Sequence, residues 1–190
     1  MARALTPIAV GPAEGAALRD WVRRAAAVQT VETGLGFAVS TLFICEGLLA
    51  NGPDGRHVAM DPQPRSEALE TLEQAGVRAL VELYSEGSEI VLPRLHAEGR
   101  SFDLAFVDGN HRFEGVFLDL VYCGRLLSPG SVVFVDDLQL PAIRKAVRFC
   151  LANLHWTTED EGREGEHEWA VLRTGSPEAF NRPFDSFVEF

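Results

Sequence analysis
The sequence predicts an α/β fold: a doubly wound, mostly parallel sheet of seven strands that ends in an antiparallel hairpin. Three observations carry this expectation. Short apolar runs alternate with segments of helical periodicity as far as Leu154, and strands separated by single helices build parallel sheets with right-handed crossovers. Two of the runs, Leu104 to Val107 and Val132 to Val135, stop on acids: Asp108 after the first, Asp136 and Asp137 after the second. Carboxylates delivered at the C-terminal ends of buried strands describe the rim on which such sheets bind ligands. Beyond Leu154 the alternation gives way to two strand-like stretches around a polar segment, the pattern of an edge hairpin.

The elements follow in order. Ala17, Leu18, Trp21, Val22 and Ala25 have helical spacing, which predicts an amphipathic helix over Glu14 to Ala27. A strand is expected at Gln29 to Thr33, and a helix from Val39 to Ala50 closing at Asn51-Gly52. Arg56 to Met60 reads as the second strand, ending on Asp61-Pro62. The helix Ser66 to Ala75 stops at Gly76, and the third strand covers Ala79 to Tyr84. Ser88 to Ala97 reads as a helix that Pro93 should bend or interrupt. The fourth strand is Asp103 to Val107, followed by a helix from Phe113 to Leu127 and a Pro129-Gly130 turn. The fifth strand is Ser131 to Val135, and Pro141 opens a helix to Leu154 at a position where its missing N–H costs nothing. His155 to Thr158 and His167 to Arg173 form the hairpin, with Glu159 to Glu166 as a solvated loop. The closing RPFDSFVEF, rich in Phe, should pack back on the domain.

Composition narrows the function. The 190 residues suit one domain, 1–190, with a real core. A net charge of −11 and the lack of a basic patch argue against nucleic-acid and anionic-membrane partners; Arg19, Arg23 and Arg24 read as the wet face of a helix. Cys45, Cys123 and Cys150 are far apart and odd in number, so no disulfide framework is expected. The N-terminal MARALTPIAVGPAEG has no long apolar segment, and no run approaches a membrane span. A soluble, reducing, cytoplasmic setting is the expectation.

Four motifs carry chemistry. In VETGLGFAVST, Val31 to Thr41, glycines between strand and helix allow close backbone approach to a ligand, and the next helix offers free N–H groups to an anion. The dinucleotide fingerprint is broken at Val39, which disfavours a nicotinamide oxidoreductase. Asp61 ends the second strand, where an acid can receive ribose hydroxyls or simply serve the Asp61-Pro62 turn. Glu86-Gly87-Ser88 can wrap an adenine, or Ser88 can cap the next helix. Asp108, Asp136 and Asp137 converge if their strands are neighbours, and a hard divalent cation would relieve their repulsion; capping and backbone acceptance compete for Asp136 and Asp137. His111, three residues after Asp108, lies on the same rim and has the side chain suited to proton removal near neutrality. His57, His96, His155 and His167 have no such context.

With these motifs in this order, the chain resembles class I S-adenosylmethionine-dependent methyltransferases from about Glu14 to Arg173, and most of all the small metal-dependent O-methyltransferases related to catechol O-methyltransferase and macrolide-sugar O-methyltransferases. HVAMDP, EGSEIVLPRL, FDLAFVDGNH and LLSPGSVVFVDD extend the likeness beyond the first motif. The resemblance implies a Rossmann-like sheet and methyl transfer from S-adenosylmethionine to a hydroxyl of a small-molecule acceptor. It implies Glu32, Gly34, Gly36 and Ser40 at the methionine part of the cofactor, with Asp108 close to it, Asp61 at the ribose, and Gly87 and Ser88 at the adenine. It further implies Asp108, Asp136 and Asp137 around Mg²⁺, with His111 and Asp108 in the catalytic roles. The chain departs from the family at Ala38 and Ser131, which replace common glycines, and in its short flanking segments, where acceptor-capping parts usually lie. The acceptor is therefore open, and a homodimer is one way to complete the site. The alternative function is a non-catalytic S-adenosylmethionine- or nucleoside-binding regulatory module.

Overall fold
The computed structural model describes residues 9–190; the expectation about a leader segment rests largely on residues 1–8, outside the described part. Five parallel strands form the body of the sheet: β1 (Gln29–Thr33), β2 (Arg56–Met60), β3 (Val81–Tyr84), β4 (Phe102–Val107) and β5 (Leu127–Val135). β6 (Thr157–Glu164) and β7 (His167–Arg173) form the hairpin, with β7 antiparallel to β5. The order across the sheet is β3-β2-β1-β4-β5-β7-β6. Strand order reverses between β1 and β4, so the crevice for a ligand opens there, at the strands' C-terminal ends.

Alternation along β4 and β5 sorts the helices onto two faces. Leu104, Phe106, Val132 and Phe134 pack against Leu18, Trp21 and Val22 of α1 (Pro12–Arg24) and Ile44 and Leu48 of α2 (Val39–Asn51). Ala105, Val107, Val133 and Val135 point the other way, toward α4 (Ser88–Ala97), α5 (Phe113–Leu126) and α6 (Pro141–Asn153). α3 (Ser66–Gln74) buries Ala68 and Leu72 beside Ala59 and Val81. Among the described residues, no helix is long and apolar enough to cross a membrane.

α1 lies close on α2 because glycine stands at both contacts. A Cβ on Gly15 would fall 2.1 Å from the Phe43 ring, and one on Gly47 would fall 2.8 Å from Val22. The N-terminus of α1 has no capping side chain of its own; instead Glu164 on β6 accepts from the Ala13 N–H at 2.9 Å. A carboxylate at a helix N-terminus is favourably placed against the helix dipole. The edge hairpin thus fixes the helix that carries Glu14 toward the strand ends.

Several boundaries differ from expectation. Residues Arg78–Leu80 form a 3-10 turn ahead of β3. Pro93 leaves α4 continuous, since the carbonyl it deprives of a partner belongs to Glu89, which is exposed to water. β5 begins at Leu127, whose buried side chain pairs with Phe102 before an irregularity in register. The polar stretch after Thr158 is a strand as far as Glu164, with the turn at Gly165. Its charged, exposed residues are those of an edge strand protected from further pairing, which is why they read as loop. In the tail, Asn153 exchanges two 2.9 Å hydrogen bonds with the backbone of Val188, and Phe190 packs on Phe149, while Phe184 is fully exposed.

Candidate active site
The loop from β1 to α2 forms the floor of a cavity of about 330 Å³. Gly34 takes φ +87°, and a Cβ there would meet the Asp108 carbonyl at 2.2 Å. Glycine is therefore what lets the ends of β1 and β4 meet. Gly34, Gly36, Ser40, Asp61, Asp108 and His111 all line the cavity. Asp61 holds the loop from β2: its Oδ2 accepts from the Leu35 and Gly36 N–H groups at 3.2 and 3.3 Å, and its Oδ1 from Gln63 at 2.8 Å. Ala38, the N-cap of α2, sits in the left-handed region at φ 64°. The helix start has no capping side chain, and Val39 and Ser40 of its first turn line the cavity, where the N–H groups of a helix start suit an anion.

A second cavity of about 380 Å³ adjoins the first and shares Gly34, Asp61, Pro62 and Gly109 with it. Gly87 and Ser88 line this end. Gly87 is the N-cap of α4, and Ser88 opens the helix without capping it. Beneath lies Asp119 of α5, fully buried, with neither carboxylate oxygen hydrogen-bonded among the described residues. Burial raises it to about 6, moderated by the Ser88 and Thr33 hydroxyls that lean toward it short of regular hydrogen-bond geometry.

Glu32 lies under the loop and outside the lining. It is fully buried. Ser40 and Thr41 donate their hydroxyls to it, Thr41 at 2.6 Å, and His57 Nε2 is 2.9 Å from Oε2. The acid at the end of β1 therefore ties together β1, β2 and the first turn of α2.

The acids of β4 and β5 stand differently. His111 Nε2 is 3.2 Å from Asp108 Oδ1 and 3.2 Å from Asp137 Oδ2. One ligand atom from each of Asp108, His111 and Asp137 lies within 4.8 Å of the others. Asp137 has a left-handed backbone, φ 56°, and its Oδ1 accepts from Gln139 at 2.6 Å. Burial pushes Asp108 up to about 7, even against the His111 hydrogen bond. His111 is raised above its ordinary value, first by its hydrogen bond to Asp108.

Asp136 is buried behind this group and accepts from the Asp137 N–H. Its other neighbour is Glu14, 1% exposed, brought in by α1. Burial first, then the charge of Asp136, raises Glu14 to about 10. Two carboxyls that face each other away from water are compatible only when one keeps its proton, and the upward shift of Glu14 fits it for that part. Among the described residues, the Glu14 Oε1 has no hydrogen-bond partner. Burial raises Asp136 as well.

Glu14, His57, Asp119 and His167 join the picture only in three dimensions. His167 Nδ1 is 3.5 Å from Asp137 Oδ1 across the sheet. Glu14 had a legible signal, since it shares a helical face with Leu18 and Val22. His57 and Asp119 had one too, as polar residues within apolar runs.

Over residues 31–138, more than half its length, the chain matches the family described as "Methyltransferase domain". Over 157 residues it is 32% identical to a "Putative O-methyltransferase" of Mycobacterium sp. (strain JLS), covering 74% of this chain and 68% of the relative. The chain belongs to the class I S-adenosylmethionine-dependent O-methyltransferases. The methyltransferase is also similar to the solved O-methyltransferase TomG of Streptomyces achromogenes in complex with S-adenosylmethionine, at 26% identity and a TM-score of 0.77, over 90% of this chain and 84% of that one. The O-methyltransferase of Bacillus cereus in complex with S-adenosylhomocysteine shares the fold, at 19% identity and a TM-score of 0.78, with the same coverage. Family membership favours the enzyme over the binding-only module. In this methyltransferase the rim brings Asp108, His111 and Asp137 together beside the cavity, and sets Asp136 apart with Glu14.

Proposed function
We propose that this methyltransferase moves the methyl group of S-adenosylmethionine to a hydroxyl of a small molecule, and that Mg²⁺ assists. The observation that carries this reading is the position of Asp108, which lines the cavity floor and also belongs to the carboxylate-histidine group. Bound S-adenosylmethionine supplies a sulfonium methyl carbon open to in-line displacement. The cradle has suitable groups for it: Gly34 and Gly36 give close backbone approach, Ser40 and Asp108 face the methionine end, Asp61 the ribose, and Gly87 and Ser88 the adenine. Glu32 acts through Ser40. Holding acceptor and methyl donor in line is worth several kcal/mol of barrier.

The acids fit a hard cation: Asp108 and Asp137 offer oxygen donors side by side, Asp136 would have to turn from Glu14 to join them, and the crowding of these carboxylates disfavours leaving all of their negative charge uncompensated. Mg²⁺ would supply positive charge beside an acceptor hydroxyl and lower its pKa. His111, in contact with two of these carboxylates, is the base that takes the hydroxyl proton. Its raised pKa means that the imidazole is freed for this work above its ordinary range, and a cation on the same carboxylates weakens their hold on the proton. The test is transfer of labelled methyl groups to a panel of catechols, phenols, sugar alcohols, amines and thiols, with Mg²⁺ or EDTA. The reading expects hydroxyl acceptors to be methylated and EDTA to suppress turnover. Transfer confined to amines or thiols would overturn the acceptor class, and turnover indifferent to EDTA would overturn the metal.

A further inference from the structure
His57, the second residue of β2, has no exposure at all, yet both of its ring nitrogens have hydrogen-bond partners. Its Nε2 is 2.9 Å from Glu32 Oε2, and its Nδ1 is 2.9 Å from the Thr30 hydroxyl. An ionised carboxylate only accepts, so Nε2 carries the hydrogen and donates to Glu32. At the other nitrogen, Nδ1 accepts the Thr30 hydrogen in the neutral ring, or donates to the Thr30 oxygen in the imidazolium while that hydroxyl turns to the Arg56 carbonyl 3.4 Å away. With Ser40 and Thr41 also donating, Glu32 receives three hydrogen bonds from three side chains. In either state of the ring, the three hydrogen bonds onto Glu32 keep one direction.

The consequence appears at Ser40. Its only hydrogen is committed to Glu32, so the free lone pairs of Oγ are its remaining hydrogen-bonding capacity. Ser40 is the one member of the network that lines the cavity. An oxygen that can only accept, backed by a carboxylate, suits an ammonium group and rejects a carboxylate. The neighbouring N–H groups at the start of α2 have the opposite preference. The two together distinguish the ends of an α-amino acid.

We propose that His57 is a positioning residue for the amino-acid end of the methyl donor: it locks Glu32, which turns Ser40 into a fixed acceptor for the donor's ammonium. This deepens the methyl-donor reading and rests on it. The network leaves the nucleoside end alone, so the two ends of the ligand should respond differently to changes at His57.

The test compares S-adenosylhomocysteine, which has the amino-acid end, with 5′-methylthioadenosine, which lacks it, by calorimetry. His57→Asn removes the reach to Glu32 while keeping a polar side chain. It should weaken S-adenosylhomocysteine about tenfold, the scale of one hydrogen bond to a charged group, and leave methylthioadenosine within about twofold. His57→Gln, whose amide nitrogen can stand near Nε2, should recover most of the loss. Thr30→Val, a milder change at the far end of the chain, should act in the same direction by about threefold if His57→Asn does not fold. Equal weakening of both compounds would mean a structural role alone and overturn the proposal, as would unchanged binding of S-adenosylhomocysteine. A wild-type protein that binds neither compound would overturn the methyl-donor reading itself, a result distinct from a failure of His57.

Discussion

Two buried glutamates on the same rim meet opposite fates. Glu32, fully buried, receives hydrogen bonds from Ser40, Thr41 and His57. Glu14, almost as deeply buried, faces Asp136 and has one oxygen without a partner among the described residues. A buried carboxylate can stay ionised when neutral donors surround it; where it meets another acid it holds its proton or needs a cation. The β1–β2 half of the rim is therefore complete within the protein and works as a rigid cradle. The β4–β5 half is short of positive charge, and this shortage is what suits it to a divalent ion and to proton transfer.

The sharpest break between the halves should come from Asp137→Ala. Turnover is expected to fall on the order of a hundred- to a thousandfold, the cost of losing a principal electrostatic contact in a reaction site. Calorimetry should find S-adenosylhomocysteine binding nearly unchanged. Loss of cofactor binding in this variant would merge the two halves and contradict the division.

His111→Ala should come next, lowering kcat about a hundredfold, as expected for a general base. In the wild type, kcat should rise with pH through the His111 titration, and in EDTA this limb should lie above about 6.5, the ordinary imidazole value. Adding Mg²⁺ should move the limb to lower pH, because the cation competes for the carboxylates that hold the proton. A limb that does not move with Mg²⁺, or that survives in His111→Ala, would assign the base elsewhere.

A smaller effect tests Asp119, which lies beneath the cradle yet shares the shortage of donors. Its pKa is raised from 3.8 in the unfolded chain to about 6 in the fold. The stability linked to it is fully present below the lower value and is lost as pH rises through the upper one. Asp119→Asn should flatten this decline, gaining up to about 3 kcal/mol relative to wild type between pH 4 and 7 in urea unfolding. A wild-type curve that rises with pH over this window, and does so equally in the variant, would show that the carboxyl is satisfied.

The smallest effect concerns Ala38. Glycine would relieve its left-handed backbone but lose a fully buried methyl. The two terms nearly cancel, so Ala38→Gly should change stability by less than about 1 kcal/mol. A larger loss would mean that the methyl holds the loop in shape.

Much of this was legible in the chain itself. Periodicity and strand-end acids located the five parallel strands and the rim, because buried strands and amphipathic helices leave strong local patterns. The third strand, the start of β5 and the length of β6 were less legible, since a 3-10 turn, an irregular register and a charged edge strand all resemble loop when read locally. Within the site, Gly34 and Asp61 follow from local rules of backbone approach and strand ends. Glu14 and His57 signal burial in the sequence, but their meaning depends on partners from α1, β1 and β2 that only the sheet order brings together. His111 could be placed on the rim from its distance to Asp108, but its contact with Asp137 needed β4 and β5 to be neighbours.

The division of the rim is tested most directly by titrating wild-type protein with S-adenosylhomocysteine in EDTA and again in millimolar Mg²⁺. The complete half should bind alone, so the two affinities should agree within about threefold, while Mg²⁺ titrated into the complex gives its own binding heat that disappears in Asp137→Ala. S-adenosylhomocysteine binding that vanishes on chelation, or a Mg²⁺ heat that persists without Asp137, would contradict the account.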